Sequence, residues 1–553
     1  MLKPLSEYPR PQLRRDSYIC LNGEWEYAIR KEEDIPTTFD GKIIVPFSPE
    51  TSSSGVNKKV TPEDYLFYKL IFKLDKPFIK DKVLLHFTAV DQIAEVFING
   101  HYLGKHIGGY LPFEFDIKEY LKEENTLIVR VKDYSDTKEY SRGKQRIKRG
   151  GIWYTPQSGI YMPVWLESVS NDYIKELKIT PDVDDESVKI IVYSEAEMAT
   201  IHILGKDHII TCNKEHSFKI DNPHLWSPED PYLYIFSVST ENDKISSYFA
   251  LRKVSLIEHN GYKVIALNNK PYFMKGVLDQ GYYKNGLYTP DDYQNYIDDI
   301  TLVKALGFNT IRKHIKIEAP IWYYECDRLG VLVWQDFVNG GGKYKLPIIT
   351  LPLITNIHHN DHNYKKFSRM DEEIREQARQ EFKDIIHYLY NSPSIVLWTI
   401  FNEGWGQFDS KEIYEELKLL DETRLFDHAS GWHDQGISDV KSLHVYFKSV
   451  ELPKDDRAIV LSEFGGFVLP IKGHMQKGKQ TYRSFENVDD WYKNFSSCIK
   501  RDVINNIPKG LCACIYTQLS DVEDELNGFV TFDREVVKIF PKKIKWQLDK
   551  IKY

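Results

Sequence analysis

Two glutamates stand where apolar runs stop. One closes Ile395-Val396-Leu397-Trp398-Thr399-Ile400-Phe401-Asn402-Glu403, and the other closes Ala458-Ile459-Val460-Leu461-Ser462-Glu463 before Phe464-Gly465-Gly466. Continuous β-branched and aromatic runs of this length are the pattern of buried parallel strands. A carboxylate at the end of such a run lies at the mouth of a core, and in a parallel α/β barrel that mouth is where chemistry is done. Two carboxylates facing one cleft can cleave a glycosidic bond. They do so with retention at a separation of roughly 5 Å, or with inversion at about 6.5–9.5 Å. A single glutamate so placed is more often an ion-pair partner; two in matched strand positions reverse that reading.

The elements that must position these groups follow from the pattern along the chain. At 553 residues the chain exceeds one core. Residues 1–170 carry short alternating runs, such as Val83–Phe87, Ala94–Ile98 and Leu127–Val131, with Asn99-Gly100 as a hairpin signal. They read as a jelly-roll β-sandwich, helical only near Ile117–Leu121. Residues 171–257, with Lys189–Tyr193 and Tyr232–Val238, suit an immunoglobulin-like β-sandwich.

From 258 to 553 strand-like and helical runs alternate. Eight strands are expected: Tyr272–Val277, Thr310–Lys313, Val331–Gln335, Ile395–Phe401, Phe426–Ala429, Ser442–Val445, Ile459–Ser462 and Leu511–Tyr516. Eight is the number that closes a (β/α)8 TIM barrel. Helices are expected over Asp291–Leu306 and Glu373–Tyr390. The long polar stretch Asn339–Arg369 reads as a lid or wall.

Composition removes several classes of function. Apolar residues make up 42 % and charged residues 28 %, the values of an ordinary globular protein. The net charge of −8 without a long basic run argues against nucleic acid or an anionic membrane as partner. No run approaches a membrane span, and Met1–Glu7 has no apolar stretch of signal-peptide length, so a cytoplasmic location is expected. The six cysteines are dispersed and form neither a disulfide framework nor a zinc pattern. His358-His359-Asn360-Asp361-His362 lacks the spacing of a metal motif and reads as polar lid, so neither metal nor cofactor is expected.

These motifs together resemble glycoside hydrolase family 2, the β-galactosidases, β-glucuronidases and β-mannosidases, over essentially the whole length. The resemblance is carried by Leu21-Asn22-Gly23-Glu24-Trp25, Ser158-Gly159-Ile160-Tyr161, Leu225-Trp226-Ser227-Pro228, Phe273-Met274-Lys275-Gly276-Val277, Asn402-Glu403 and Ser462-Glu463-Phe464-Gly465-Gly466. It implies a retaining double displacement with Glu403 as general acid and base and Glu463 as nucleophile. Arg312 would lie beside the nucleophile. Asn402, His444 and Tyr446 would line the sugar site, with Tyr446 a donor to Glu463. Trp405 and Trp432 become stacking platforms or rim packing.

The chain departs from the family pattern in two places. Leu278-Asp279-Gln280-Gly281 follows strand one, which makes Asp279 a hydroxyl ligand, and Tyr516 takes the place of a strand-eight tryptophan. The Asn-x-Lys element that glucuronidases use is not visible after Glu463.

The expected function is therefore a retaining exo-β-glycosidase, first of all a β-galactosidase, with an oligosaccharide or glycoside as its partner. A homo-oligomer is compatible with the sequence. The competing readings are the same chemistry on a β-mannoside, β-glucoside, α-L-arabinopyranoside or β-glucuronide, and an inactive carbohydrate-binding relative.

Overall fold

The computed structural model describes residues 3–355, 357–475 and 482–553. Met1 and Leu2 of the opening segment and Asn356 of the expected lid lie outside the described residues.

The N-terminal sandwich has two main antiparallel sheets and a two-stranded one pairing Val90–Asp91 with Gly159–Ile160. Six strands pair in the order Gly41–Val45, Gly23–Arg30, Tyr65–Phe72, Asn125–Lys132, Ile93–Ile98, His101–Ile107. Four others pair in the order Tyr18–Cys20, Val164–Val169, Lys82–Phe87, Phe113–Asp116. Strict alternation of buried and half-buried residues along Asn125–Lys132 puts Leu127, Val129 and Val131 into a core with Trp25, Val83, Leu85 and Phe87. The Asn99-Gly100 turn is a hairpin tip, both residues having positive φ (52° and 85°), as a tight two-residue turn requires.

The immunoglobulin-like part packs a three-stranded sheet against a four-stranded one around Ile190, Ile201, Phe236 and Val238. It is fastened to the barrel by buried polar contacts. Trp226 Nε1 donates to Asp327 O at 2.8 Å, and Arg252 donates to the carbonyls of Pro393 and Ile395, each at 2.8 Å. Glu167 at the end of the sandwich is fully buried between Arg10, Arg15 and His86.

The barrel strands are Met274–Asp279, Thr310–Lys313, Leu332–Asp336, Ile395–Asn402, Leu425–Ser430, Val440–Val445, Ala458–Gly465 and Leu511–Thr517. They form one parallel eight-stranded sheet in cyclic order. Strand one begins two residues later than expected because Tyr272 N is already spent on Ile265 O in the preceding hairpin. Strands five and six have no backbone ladder between them. The gap is closed by Asp439, whose N donates to Phe426 O and whose carboxylate accepts from Phe426 N, and by the Ser430–Ser442 hydroxyl contact at 3.0 Å.

The two expected helices are present as Gln294–Ala305 and Glu372–Leu389, the second capped by the Asp371 side chain accepting from Ile374 N. The Asn339–Arg369 segment carries short helices at Leu346–Ile349 and Tyr364–Phe367. It packs Tyr344, Ile348 and Phe367 against Trp153 of the sandwich and Trp405 of the barrel. The six cysteines are buried free thiols. No helix among the described residues is long and apolar enough to cross a membrane.

Candidate active site

Glu403 follows the last residue of strand four and Glu463 lies inside strand seven, so the barrel brings them together from 60 positions apart. Glu403 has φ of 50°, a left-handed conformation that is strained for a residue with a Cβ. Its N donates to Ser430 O at 2.9 Å, and its carbonyl accepts from Trp432 Nε1 at 3.0 Å. These two bonds turn the chain at the strand end and aim the carboxyl inward. Oxygens of Glu403 and Glu463 and a ring nitrogen of His444 all lie within 4.8 Å of one another.

The two carboxyls sit in opposite environments. Glu403 is buried and is pushed above the usual carboxylate range by that burial and by the charge of Glu463, with His444 opposing. Burial alone would also lift Glu463. His444 and Arg312 outweigh it, Tyr446 donates to the carboxylate, and the result is a depression to about 2. Arg312 Nη1 is 3.0 Å from Glu463 Oε1. The same guanidinium reaches Asp336 Oδ1 at 3.0 Å, Ser462 O at 3.1 Å and Asn402 Oδ1 at 2.7 Å. His444 Nδ1 is 2.9 Å from Glu403 Oε1 and its Nε2 is 3.6 Å from Glu463 Oε1. Tyr446 OH donates to Glu463 Oε2. Asn402, its oxygen held by Arg312, keeps a buried Nδ2 with no partner among the described residues. That leaves an aimed donor for a ligand hydroxyl.

The structure corrects the remaining expectations. Asp279 is at the end of strand one, but its carboxylate is taken by Lys313 Nζ at 2.5 Å and by Gly281 N at 3.0 Å. It belongs to an ion-pair network with Glu318, not to a free sugar-facing edge. Tyr516 faces the outside of strand eight, fully buried among Phe464, Phe467, Trp491, Phe495 and Phe529, its hydroxyl accepting from Phe467 N at 3.3 Å. Strand periodicity puts the next residue on the inner face, and Thr517 Oγ1 is 3.4 Å from Tyr446 OH. Trp405 and Trp432 pack closely against neighbours, and Trp432 also borders a cavity. Both are buried, Trp405 against Trp153 at 5.0 Å and Trp432 edge-on to His444 at 5.5 Å.

The polar stretch His358–His362 fastens the lid. Asp361 Oδ2 accepts from Gln407 Nε2 and Ser410 N, and His362 Nε2 is 3.1 Å from Glu412 Oε1. A cavity of about 780 Å³ opens between Leu353, Thr355 and Ile357 on one side and Lys448, Glu451 and Leu452 on the other, reaching Trp432 and His444, the residues that hold Glu403.

Several residues at the mouth escaped the sequence reading. His314 Nδ1 is 2.7 Å from Asp336 Oδ2. Lys144 and Tyr154 arrive from the sandwich, Glu525 from the loop after strand eight, and Tyr482 packs on Tyr446 at 5.3 Å. Glu525 could have been noticed, since loops at the C-terminal ends of barrel strands form such sites. Nothing local marks Lys144.

Comparison with known proteins agrees with this architecture. The family model "Glycosyl hydrolases family 2, sugar binding domain" matches residues 49–167, "Glycosyl hydrolases family 2" matches 168–252, and "Glycosyl hydrolases family 2, TIM barrel domain" matches 259–537. The chain belongs to glycosyl hydrolases family 2.

A β-galactosidase of Thermoanaerobacter pseudethanolicus is 28 % identical over 498 residues, covering 82 % of this chain and 62 % of that protein. A putative β-glucuronidase of Formosa agariphila is 27 % identical over 391 residues, covering 66 % of this chain and 34 % of its own length. The chain thus spans less than two thirds of these relatives. Among solved structures, a β-D-glucuronidase of Dictyoglomus thermophilum shares the fold at a TM-score of 0.75 and 19 % identity, with 99 % of each chain covered. A β-galacturonidase of Eisenbergiella tayi does so at 0.72 and 18 %, covering 99 % of this chain and 98 % of that one.

Proposed function

We propose that the protein is a retaining exo-β-glycosidase, acting first of all on β-galactosides. One observation carries the reading: two carboxyls whose oxygens approach within 4.8 Å, one pushed above the usual carboxylate range and the other depressed below it. That spacing suits nucleophilic attack and leaves no room for an intervening water.

Glu463, kept anionic by His444, Arg312 and Tyr446, attacks the anomeric carbon. Glu403 gives its proton to the departing glycosidic oxygen. A glycosyl ester on Glu463 results, and Glu403, now a base, draws a proton from the water that hydrolyses it. As the ester forms, the negative charge on Glu463 disappears, and the pKa of Glu403 falls with it. The same residue thereby serves as acid and then as base. Asn402 Nδ2 is positioned to donate to a sugar hydroxyl.

The preference for galactosides rests on the Thermoanaerobacter relative, which aligns over most of this chain. An inactive carbohydrate-binding role is disfavoured by two intact carboxyls whose pKa values are pushed in opposite directions. The organisation that goes with this reading is a sandwich over 1–170, a second over 171–257 and a catalytic barrel over 258–553. Six free thiols suit a reducing, cytoplasmic compartment.

The test is a panel of p-nitrophenyl glycosides combined with a 2-deoxy-2-fluoro-β-galactoside. The expected result is β-galactoside turnover with retention and a stable mass increment on Glu463. Turnover with inversion, or labelling of another residue, would overturn the mechanism.

A further inference from the structure

Residues 133–158 leave the sandwich and cross the barrel mouth. Arg142 N and Gly143 N both donate to Asn339 O, at 2.9 and 3.0 Å, which docks the loop on the segment after strand three. Gly143 has φ of 62°, and a Cβ there would meet Ile315 O and Tyr288 OH at 2.9 Å, so the approach is as close as glycine allows. Tyr154 N donates to Lys144 O at 3.0 Å, fixing the two side chains beside each other.

Lys144 is only 5 % exposed, yet its ammonium is poorly satisfied. Nζ is 3.3 Å from Tyr154 OH and 3.6 Å from Glu525 Oε2. A buried ammonium has three protons to place, at about 2.7–2.9 Å from charged acceptors. Aromatic rings connect the pair to the reacting groups on one side and to His314 on the other. Nζ is 5.8 Å from the Trp405 ring, which packs on His314, and Glu525 reaches Tyr446 and Glu463 through Tyr482. The charge of Lys144 is felt at Glu403.

We propose that Lys144 and Glu525 grip a neutral sugar in the glycone pocket, Lys144 donating to one hydroxyl oxygen and Glu525 accepting from a hydroxyl beside it. The sandwich thereby supplies a substrate ligand to the barrel. The pair selects neutral glycosides over uronides, because a sugar carboxylate drawn to Lys144 would lie against Glu525. Nearby Glu523 and Asp524 add to that field, and both already share Arg149. This rests on the glycosidase reading given above.

The experiment compares wild type, Lys144→Met and Glu525→Gln on p-nitrophenyl β-galactoside, its 3-, 4- and 6-deoxy analogues, and p-nitrophenyl β-galacturonide. In wild type, kcat/KM for the galactoside should exceed that for the galacturonide by about 100-fold or more. One deoxy analogue should lose about 100-fold in wild type and little further in Lys144→Met, because the ammonium and its hydroxyl partner act as one unit. A merely structural lysine would give additive losses for every analogue, and that result overturns the proposal. So does a wild type that prefers the galacturonide, which decides the matter even if both variants fail to fold. Turnover with Glu463 labelled but additive losses would sink the Lys144 assignment alone; no labelling at all would sink the glycosidase reading beneath it.

Discussion

Arg312 Nη1 lies 3.0 Å from Glu463 Oε1 in the barrel interior, and both side chains are shielded from water. A charge pair in such surroundings acts far more strongly than at a surface. Together with His444 it depresses the pKa of Glu463 although burial alone would raise it. Glu403, a few ångströms away, has no arginine against it among the described residues and is pushed the other way by burial and by the charge of Glu463. His444 and this guanidinium on strand two together push two identical side chains toward different roles.

Glu463→Gln keeps the shape and removes the nucleophile. Turnover of every glycoside should fall by more than about 10⁴-fold with the far-ultraviolet circular dichroism unchanged. Near-normal rates would contradict the nucleophile assignment.

Glu403→Ala should hurt in proportion to the leaving group's need for a proton. The first step on a dinitrophenyl glycoside should change little, while that on an alkyl glycoside should fall by about 10²–10⁴-fold. Pre-steady-state bursts measure the first step separately. Equal losses on both substrates would rule out the acid role.

The pH profile follows from the two directions of shift. Glu463 must be ionised, so the acid limb of kcat/KM should lie below the ordinary carboxylate range. Glu403 must be protonated, so the alkaline limb should lie above that range. Tyr446→Phe removes a donor that favours the Glu463 anion. Its acid limb should move to higher pH, with the alkaline limb following Glu403 as before. An unmoved acid limb would show that Tyr446 does not set the state of Glu463.

Tyr516→Phe tests the corrected position of that residue. Losing the hydroxyl that accepts from Phe467 N should cost about 1 kcal/mol of stability. Because the ring faces away from the pocket, kcat/KM should stay within about threefold of wild type. A large kinetic loss with unchanged melting temperature would return Tyr516 to the sugar site.

Glu167 ties the N-terminal segment to the sandwich, and its carboxyl is held well below the usual range because Arg10, His86 and Arg15 outweigh its burial. A depressed carboxylate contributes stability above its unfolded pKa of about 4.3, and that contribution is lost as pH falls. The melting temperature of wild type should therefore drop on acidification. Glu167→Gln should start about 3–5 kcal/mol less stable and show a shallower acid slope. Parallel slopes would mean that other carboxylates govern the acid transition.

Much of this molecule is readable along the chain, because its main signals are local. Alternation in Asn125–Lys132, the Asn99-Gly100 turn and the fully apolar run before Glu403 depend on neighbours in sequence, and each forms the element that its pattern specifies. The two glutamates were visible for the same reason. Which face of a strand meets the pocket is a different kind of fact. Tyr516 and Thr517 differ by one position, and only the closed barrel decides which points inward. Asp279 looked free until Lys313, from the adjacent strand, was found beside it. Lys144 carries no local mark, since its partner Glu525 lies hundreds of residues away on another unit. Side-chain period and turn chemistry are written into short segments. Ion pairing, protonation state and the inward face arise only when distant segments share one low-dielectric interior, and no short segment contains that information.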